Sequence, residues 1–245
     1  GEEQFINNGE REDQYIARVG EEAIQFYGYR TIGIWQSQAE IDDPLNASSA
    51  EDAPGGLRVA DINGDGVITA ADRTTTGSPF PDFTWGISNT FKYAGFDLFF
   101  LVQGSQGAEV YNGDGFYLEN RQIQRDFVTD RWVHPDIPAS RPTNNNGREW
   151  TATDYLIQDG SYVALREAVF GYTFNEKITK TLGLNKFRVF ASGQNLLYFF
   201  ADGYTGNNPE ELRTTSQYSS PLVSGYQRGS EIMSRQITGG IEITF

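Results

Sequence analysis

The chain has 245 residues, a formal net charge of −14 and no cysteine. So acidic a chain lacks the basic surface that nucleic-acid binding requires, and without cysteine it has no disulfide framework, thiol nucleophile or cysteine-ligated metal. Aromatic residues make up 14% of the sequence, too many for a disordered acidic chain, and no apolar run approaches the roughly 20 residues of a membrane helix. These totals are compatible with either a soluble domain or a membrane β-barrel.

Six segments show the two-residue hydrophobic alternation that is typical of β-strands. The clearest is DFTWGISNTFKY, where small or polar residues alternate with Phe83, Trp85, Ile87, Phe91 and Tyr93. Ala94 and Gly95 then predict a tight turn into a second strand. In chain order, the predicted strands are residues 13–19, 82–93, 96–106, 161–174, 186–199 and 234–245.

The connections between these strands alternate in length. Short turns follow residues 93 and 174, the second with room for one helical turn, whereas long polar loops occupy residues 20–81, 107–160 and 200–229. Three structureless loops of that length are uncommon in a compact soluble domain, but an outer-membrane barrel has short periplasmic turns and long extracellular loops.

A soluble β-sandwich would show the same alternation, and strand length favours the barrel. The predicted strands of 12 to 14 residues exceed the roughly 5–6 of globular strands and are long enough for the roughly 9–11 of a tilted membrane span. We therefore predict an all-β fold of antiparallel transmembrane β-barrel strands, with the three long loops outside the cell.

The segment DINGDGVITAAD at 61–72 fits the twelve-residue loop that binds calcium in EF-hands. Gly66 supplies the turn at loop position 6, and the residues at positions 1, 3, 5, 7, 9 and 12 are the predicted ligands: Asp61, Asn63, Asp65, Val67 through its carbonyl, Thr69 and Asp72. Asp at position 12 in place of Glu shortens the last ligand. The alternative is an Asx-rich turn with no metal or a weakly held one. We expect Ca²⁺, if bound, to be structural and to pin an external loop.

Several of these segments together resemble the distal part of SusC/RagA-type TonB-dependent transporters, which are outer-membrane proteins of Bacteroidetes. The matching stretches are residues 18–42, residues 61–112, DGSYVALREAVFGYTF at 159–174 and FRVFASGQNLLYF at 187–199. The terminal Phe245 resembles an outer-membrane assembly signal. The resemblance covers nearly the whole chain in the family's order.

The resemblance implies an importer of oligosaccharides or peptides in the bacterial outer membrane. TonB would act on a plug domain that this sequence does not contain, and a SusD-like surface lipoprotein would cap the external loops. Barrels of this class have 22 strands, and six cannot close one, so residues 1–245 would be the C-terminal segment of a longer polypeptide or one part of a split barrel. The chain would contact the rest of its barrel, the surrounding lipid and the substrate. Polar residues would line the lumen wall: Thr84, Ser88, Asn195, Thr238 and Glu242.

Aromatic residues in the long loops are candidates for stacking on sugars or docking a partner. They are Trp35, Trp132, Trp150, Tyr111, Phe116 and Tyr117. The alternative is that they pack the loops against each other. A rival function follows from the sandwich fold: a secreted, calcium-stabilised module that binds glycans through Trp35, Trp132 or Trp150.

We predict no enzymatic activity and no catalytic residue. The only histidine is His134, in RWVHPDIPASRP, and a His beside Pro in a polar loop is rarely catalytic. Acidic residues are abundant, but no motif singles out a carboxylate pair of the kind that glycoside hydrolysis requires.

Overall fold

A computed structural model of the chain describes residues 3–6, 14–115, 130–143, 147–210, 223–229 and 231–245, the first range by its backbone alone. Within these ranges, the strands are β1 (Glu3–Ile6), β2 (Tyr15–Arg18), β3 (Gln25–Gly28), β4 (Thr31–Ile34), β5 (Leu57–Val59), β6 (Thr74–Gly77), β7 (Phe83–Tyr93), β8 (Phe96–Gln106), β9 (Glu109–Asn112), β10 (Ile157–Asp159), β11 (Tyr162–Thr173), β12 (Lys186–Phe200), β13 (Tyr226–Gln227) and β14 (Gln236–Thr244). The α-helices are α1 (Gln38–Ile41) and α2 (Glu176–Thr181), and short 3₁₀ turns cover Ala70–Asp72, Trp150–Ala152 and Asp154–Leu156. In the described part of the chain, no helix has the length and apolar character needed to cross a membrane.

The chain divides into two compact units. The first, which we call the loop unit, comprises Gly1–Phe80, Glu109–Gln158 and Glu210–Ser230. The second, which we call the sheet unit, comprises Pro81–Ala108, Asp159–Pro209 and Glu231–Phe245.

The sheet unit is built on five long strands in the order β14-β12-β11-β8-β7, each antiparallel to its neighbours. Their bounds confirm the five strands predicted between residues 82 and 245. Small or polar residues alternate with apolar ones along β7. This strand pairs with β8 without a register shift. The predicted helical turn between the third and fourth of these strands is also present as α2, whose first turn is capped by the Asn175 side chain accepting from the Ile178 N–H at 3.2 Å.

One face of this sheet is apolar across all five strands. Directly paired residues lie on the same face, and the pairing Trp85–Gly104–Val163 continues through the sheet. The face consists of Phe83, Trp85, Ile87, Phe91 and Tyr93, then Phe96, Leu98, Phe100 and Val102, then Val163, Leu165, Phe170 and Tyr172, then Phe187, Val189, Leu197 and Phe199, then Ile237, Ile241 and Ile243. None of these residues is buried and many are exposed, Ile87 to 57% and Ile237 to 75%, and in the described part of the chain no second sheet covers them. The predicted sandwich would have buried this face, so that alternative is wrong.

The loop unit corrects the prediction of three structureless loops. Short strands from these segments, joined by β1 and β2 from the first 18 residues, form a four-stranded sheet, β1-β2-β3-β6, a three-stranded sheet, β10-β9-β13, and the pair β4-β5. The first predicted strand, residues 13–19, is present as β2 but belongs to this unit and not to the long sheet.

Aromatic side chains hold the loop unit together. Tyr15 packs on Phe26 at 5.5 Å between ring centroids, Phe26 on Tyr111 at 6.5 Å, and Tyr111 on Tyr226 at 5.4 Å, each pair with tilted ring planes. All four are at most 3% exposed. Phe26 precedes the first strand of the long sheet, Tyr111 lies in the connection from β8 to β11, and Tyr226 lies in the connection from β12 to β14. Three separate segments of the chain therefore fold around one shared core.

Candidate functional site

The polar face of the long sheet is the first candidate site, because it carries the residues predicted to line a lumen. Thr84 and Ser88 on β7 share this face with Thr238 and Glu242 on β14, as the register across the five strands requires. Asn195 lies at a register shift in β12 and has a positive φ of 52°. The structure thus brings the predicted polar residues to one side of the sheet.

An ion-pair network crosses this polar face near the β7–β8 turn. Arg188 on β12 donates from Nε to Asp97 Oδ1 at 3.1 Å and from Nη2 to Asp97 Oδ2 at 2.6 Å. Arg188 and Asp97 both pair with the intervening strand β11, so their side chains meet above it. Lys186 Nζ lies 2.6 Å from Glu242 Oε1, and Arg188 Nη1 lies 3.9 Å from Glu242 Oε2. A bidentate arginine–carboxylate pair is among the strongest charge-assisted contacts.

Gly171 makes room for this contact. A Cβ at Gly171 would lie 2.7 Å from Asp97 Oδ1 and even closer to Arg188 Nη2. Neighbouring strands are roughly 4.8 Å apart, so two side chains that reach over an intermediate strand need a residue without a side chain beneath them. A cavity of about 620 Å³ opens beside the network, lined by Lys92, Tyr93, Ala94, Gly95, Phe96, Asp97, Thr173, Lys186, Arg188 and Glu242.

Arg166 forms a second polar cluster on the sheet. It lies where β11 carries a register shift against both neighbouring strands, between Leu165 and Glu167. Its Nε donates to Gln103 Oε1 at 3.2 Å, and its Nη1 donates to Asn195 Oδ1 at 3.3 Å and to the Tyr198 hydroxyl. β-Bulges redirect side chains in this way and are common near functional sites.

The predicted calcium loop folds as a tight, self-bonded turn. Asp61 accepts from the N–H groups of Gly64 and Gly66 at 2.6 and 2.8 Å, and Asp65 Oδ1 accepts from the Val67 N–H at 2.9 Å. The Asp72 side chain is fully buried and closes the loop, accepting from Ile62, Asn63 and Thr69 N–H groups.

These hydrogen bonds set the ionisation of Asp72. Burial raises the pKa of this carboxyl, but the N–H groups of Thr69, Asn63 and Ile62 outweigh burial and lower the pKa below its ordinary value. Asp72 is therefore held as a carboxylate, the form that a cation requires.

The donor set of the loop suits calcium, since all predicted ligands present oxygen. Each carboxylate oxygen that accepts one N–H bond keeps a further lone pair for a cation. In the described ranges, however, no three His, Asp or Glu side chains converge in an arrangement suited to a metal ion. The calcium ligands Asp61, Asn63, Asp65, Val67, Thr69 and Asp72 therefore stay a prediction.

The aromatic residues proposed for ligand or partner binding are not exposed as expected. Trp35, Trp150 and Tyr111 are buried in the loop unit, at 1%, 6% and 3% exposure. Trp132 is half-buried, donates from Nε1 to the Gln36 carbonyl at 3.0 Å and packs over Gly55. Buried rings have no free face for a sugar. The alternative, that these residues pack the loops against each other, therefore applies to the three buried residues. Tyr117 and Phe116 lie outside the described residues.

His134 occupies an exposed β-turn. Its Nδ1 lies 3.4 Å from Asp136 Oδ2, and both side chains are more than half exposed. The pair therefore lies on the surface of the loop unit.

Comparison with known proteins decides the family. No protein-family model matches the chain. "TonB-dependent receptor P3" of Formosa agariphila is 34% identical over 258 residues, a match that covers all of this chain and 25% of that protein. "TonB-dependent receptor P26" of the same organism is 33% identical over 238 residues, covering 93% of this chain and 23% of that protein.

The chain belongs to the TonB-dependent receptor family. It spans about a quarter of the length of these curated relatives. Two solved structures share its fold: that of the RagAB peptide transporter, with a TM-score of 0.75 and 17% identity, and that of the RagAB peptide importer in the open-open state, with a TM-score of 0.71 and 16% identity. Each covers all of this chain and 24% of the matched chain.

The curated relatives confirm the resemblance to TonB-dependent proteins. The RagAB structures confirm the fold class that was predicted from strand alternation. The names of these relatives are those of receptors and a transporter, not of enzymes. Two features of its polar face were missed at the level of sequence: the Asp97–Arg188 pair and the Arg166 cluster. The signal for the first was a glycine, Gly171, inside a strongly alternating strand, since such a glycine often marks a close approach.

Proposed function

We propose that the chain is the C-terminal barrel segment, residues 1–245, of a TonB-dependent importer in the outer membrane of a Bacteroidetes bacterium. The observation that carries the proposal is the two-sided character of the long sheet. One face is apolar over all five strands, and the opposite face carries the charged and most of the polar residues together with a few apolar ones, Phe99, Leu101, Val169 and Phe190. In water the apolar face would be a large aggregation-prone surface. In an outer-membrane barrel it would contact lipid, and the polar face would line the lumen.

The distribution of aromatic residues supports this placement. Tyr93 and Phe96 flank the turn at one end of the sheet, and Phe199 and Phe200 lie at the other end of the paired strands. Aromatic girdles at both lipid–water interfaces are a property of barrels. Because five strands are far fewer than the 22 of this barrel class, the remaining strands and the plug would come from elsewhere in the full protein, which includes the TonB-contacting region.

The cargo we propose is an oligosaccharide or a peptide. The structures that share the fold are those of a peptide transporter and a peptide importer, which supports a peptide as the cargo. The glycan class comes from the SusC resemblance. In both cases the mechanism is binding and gated passage, with Arg166, Gln103 and Tyr198 among the lumen-wall groups that a polar cargo would meet.

The loop unit would lie outside the cell and contact a SusD-like lipoprotein. Its support is the folded state of the three long connections, because a compact aromatic core gives a partner a preformed surface and lowers the entropy cost of docking. Candidate contact residues remain Trp132 and, outside the described residues, Tyr117. Trp35, Trp150 and Tyr111 would support that surface from beneath.

Calcium would stabilise the loop unit through residues 61–72. Ile68, within this loop, is buried beside Tyr29 and Val59, and its N–H donates to the Ser48 carbonyl at 3.1 Å. A cation that rigidifies the loop would therefore also brace the segment around Ser48 and the strands β4 and β5.

An uptake experiment tests the proposal. A strain lacking the gene is complemented with the full-length gene, and uptake of a fluorescent peptide series and a fluorescent oligosaccharide series is measured with and without a protonophore. We expect saturable uptake of one series that is lost with the gene and with the proton gradient. Equal uptake in the deletion and complemented strains for both series would contradict the importer assignment.

A further inference from the structure

We propose that residues 130–141 form a rigid apolar knob by which the loop unit docks a basic face of a partner protein. The proposal rests on the proposed function in one respect: the partner is taken to be the surface lipoprotein of the same importer. We call this segment the 130–141 loop. No residue of it was singled out for partner binding from the sequence except Trp132.

The loop is closed at its base by hydrogen bonds between its two ends. The Trp132 N–H donates to the Arg141 carbonyl at 2.9 Å, and the Arg141 N–H donates to the Asp130 carbonyl at 3.1 Å. The Asp130 carboxylate accepts in addition from the Ser140 N–H at 3.4 Å and from the Ser140 hydroxyl. The two ends of the loop are therefore joined to each other in the absence of a partner.

Trp132 anchors this base to the rest of the loop unit. Its Nε1 donates to the Gln36 carbonyl at 3.0 Å, and Gln36 Nε2 donates back to the Ala139 carbonyl at 3.2 Å. The indole lies over Gly55, where an added Cβ would come within 2.5 Å of the ring. The base of the 130–141 loop is thus fixed in position and orientation.

The tip is a proline-containing β-turn. The Ile137 N–H donates to the His134 carbonyl at 3.0 Å, and Pro135 occupies the second turn position, where its fixed φ is favourable. The Asp136 N–H donates to His134 Nδ1 at 3.3 Å, a second bond within the turn. Such a turn loses little conformational freedom on binding.

The side chains at this ordered tip are apolar and exposed. Val133 is 65% exposed and Ile137 is 55% exposed, and both prolines, Pro135 and Pro138, are exposed as well. Hydrophobic groups that are both fixed and exposed are typical of the central contacts of protein interfaces. A loop selected only for solubility would carry polar residues at its most prominent positions.

Charge indicates which kind of partner fits. The loop unit contains 25 of the chain's 33 acidic residues and 12 of its 19 basic residues, whereas the sheet unit holds the other 8 and 7. All four lysines of the sequence also belong to the sheet unit. Within the 130–141 loop, Asp130 and Asp136 are balanced by Arg131 and Arg141, so the acidic excess lies on the rest of the loop unit. At the tip itself, Asp136 is 89% exposed. A partner face with an apolar groove rimmed by Lys and Arg complements this surface, and such complementarity speeds association at low salt.

The test measures binding of the full-length transporter, in detergent, to a purified SusD-like surface lipoprotein of the same organism. The variant is Val133→Ser with Ile137→Ser, which leaves the base and the turn intact. The matched control is Ile178→Ser with Leu182→Ser, two exposed apolar residues at and beside α2 in the sheet unit, 40% and 57% exposed. We expect the tip variant to raise Kd at least about tenfold and the control to stay within about twofold, since few interface residues dominate affinity.

Two further measurements accompany the binding constants. Pro135→Gly keeps Val133 and Ile137 but frees the turn, and we expect an intermediate loss of affinity. Raising the salt concentration should slow association of the parent protein if the partner face is basic. A tip variant that binds as tightly as the control would overturn the proposal. Absence of any binding by the parent transporter would instead remove the partner itself, and with it both the lipoprotein part of the proposed function and the knob.

Discussion

Replacing Tyr226 with alanine should loosen all three long connections at once. The ring of Tyr226 is 1% exposed and packs at a tilted angle on Tyr111, which in turn packs on Phe26. These three residues belong to three separate segments: the one before β7, the β8–β11 connection and the β12–β14 connection. Truncating a buried aromatic residue to alanine costs about 3–5 kcal/mol, because the cavity collapses only in part. That cost should fall on the opening free energy of the loop unit as a whole.

Hydrogen exchange followed by mass spectrometry can measure this effect in the full-length protein. Suitable reporters are the Tyr111 N–H, bonded to the Gly225 carbonyl at 2.8 Å, and the Tyr27 N–H, bonded to the Gln14 carbonyl at 2.9 Å. At about 1.4 kcal/mol per tenfold change, their exchange should accelerate by roughly two to three and a half orders of magnitude. The Thr173 N–H, bonded to the Gly95 carbonyl in the sheet unit, serves as the internal reference.

Leu45→Ala is the matched control, because Leu45 is an apolar residue of the same unit that is 90% exposed. It should leave exchange unchanged. Faster exchange confined to the neighbourhood of Tyr226, with Tyr27 unaffected, would refute the reasoning. The three connections would then be independent loops, as the alternation of strand and loop lengths alone had indicated.

Three further predictions concern single features. Gly171→Ala should break the Asp97–Arg188 pair and destabilise the protein by about 1–3 kcal/mol in urea unfolding. Gly86→Ala should destabilise it much less, because the nearest atom to the added Cβ is 3.8 Å away. Equal effects of the two substitutions would contradict the steric argument. The melting temperature should be higher in calcium chloride than in EDTA, by an amount equivalent to about 2.7 kcal/mol when free calcium is at a hundredfold excess over its Kd. Asp61→Ala should abolish this difference. A difference that persists in the variant would place the ion elsewhere. Because the pKa of Asp72 is lowered in the folded protein, its carboxylate should stabilise the fold fully above the unfolded pKa of about 3.9, and this stabilisation should be lost as pH falls through the lower, folded pKa. Amide exchange of Thr69 should report the loss. Asp72→Asn should remove that part of the pH dependence.

The long sheet was accessible from sequence because local alternation determines it. Residues such as Trp85 and Ile87 alternate with Gly86 and Ser88, and period two is the direct signature of a strand with unlike faces. The Ala94-Gly95 turn then fixes the register of its hairpin, and the observed pairing of Tyr93 with Phe96 follows. Strand existence and the polarity of both faces could be derived from these residues alone.

The loop unit was not accessible in the same way. Its strands are two to four residues long, too short to show periodicity, and some of them pair with strands that lie far away in the chain. β13 pairs in parallel with β9 across more than a hundred residues, as Tyr226 with Tyr111. No local pattern encodes such a contact. The aromatic residues Trp35 and Trp150 could therefore be identified as important but not placed inside a core.

The calcium loop lies between these two cases. Its spacing of Asp61, Asn63 and Asp65 predicts the tight turn that the structure contains, because Asx side chains bond to N–H groups two or more residues ahead. The same spacing does not fix the direction of the remaining oxygen lone pairs. The turn could thus be derived from the sequence, whereas the binding of an ion could not.

Cysteine accessibility across the long sheet tests the central claim most directly. Ile87→Cys and Ser88→Cys are introduced singly into an otherwise cysteine-free full-length protein in outer-membrane vesicles. Both positions are exposed in the chain itself, so only their surroundings can separate them. Reaction of Ser88→Cys with a charged, water-soluble maleimide, and of Ile87→Cys only with a lipid-soluble one, is the result that a barrel wall predicts. Equal reaction of both variants with the charged reagent would contradict the membrane-spanning assignment.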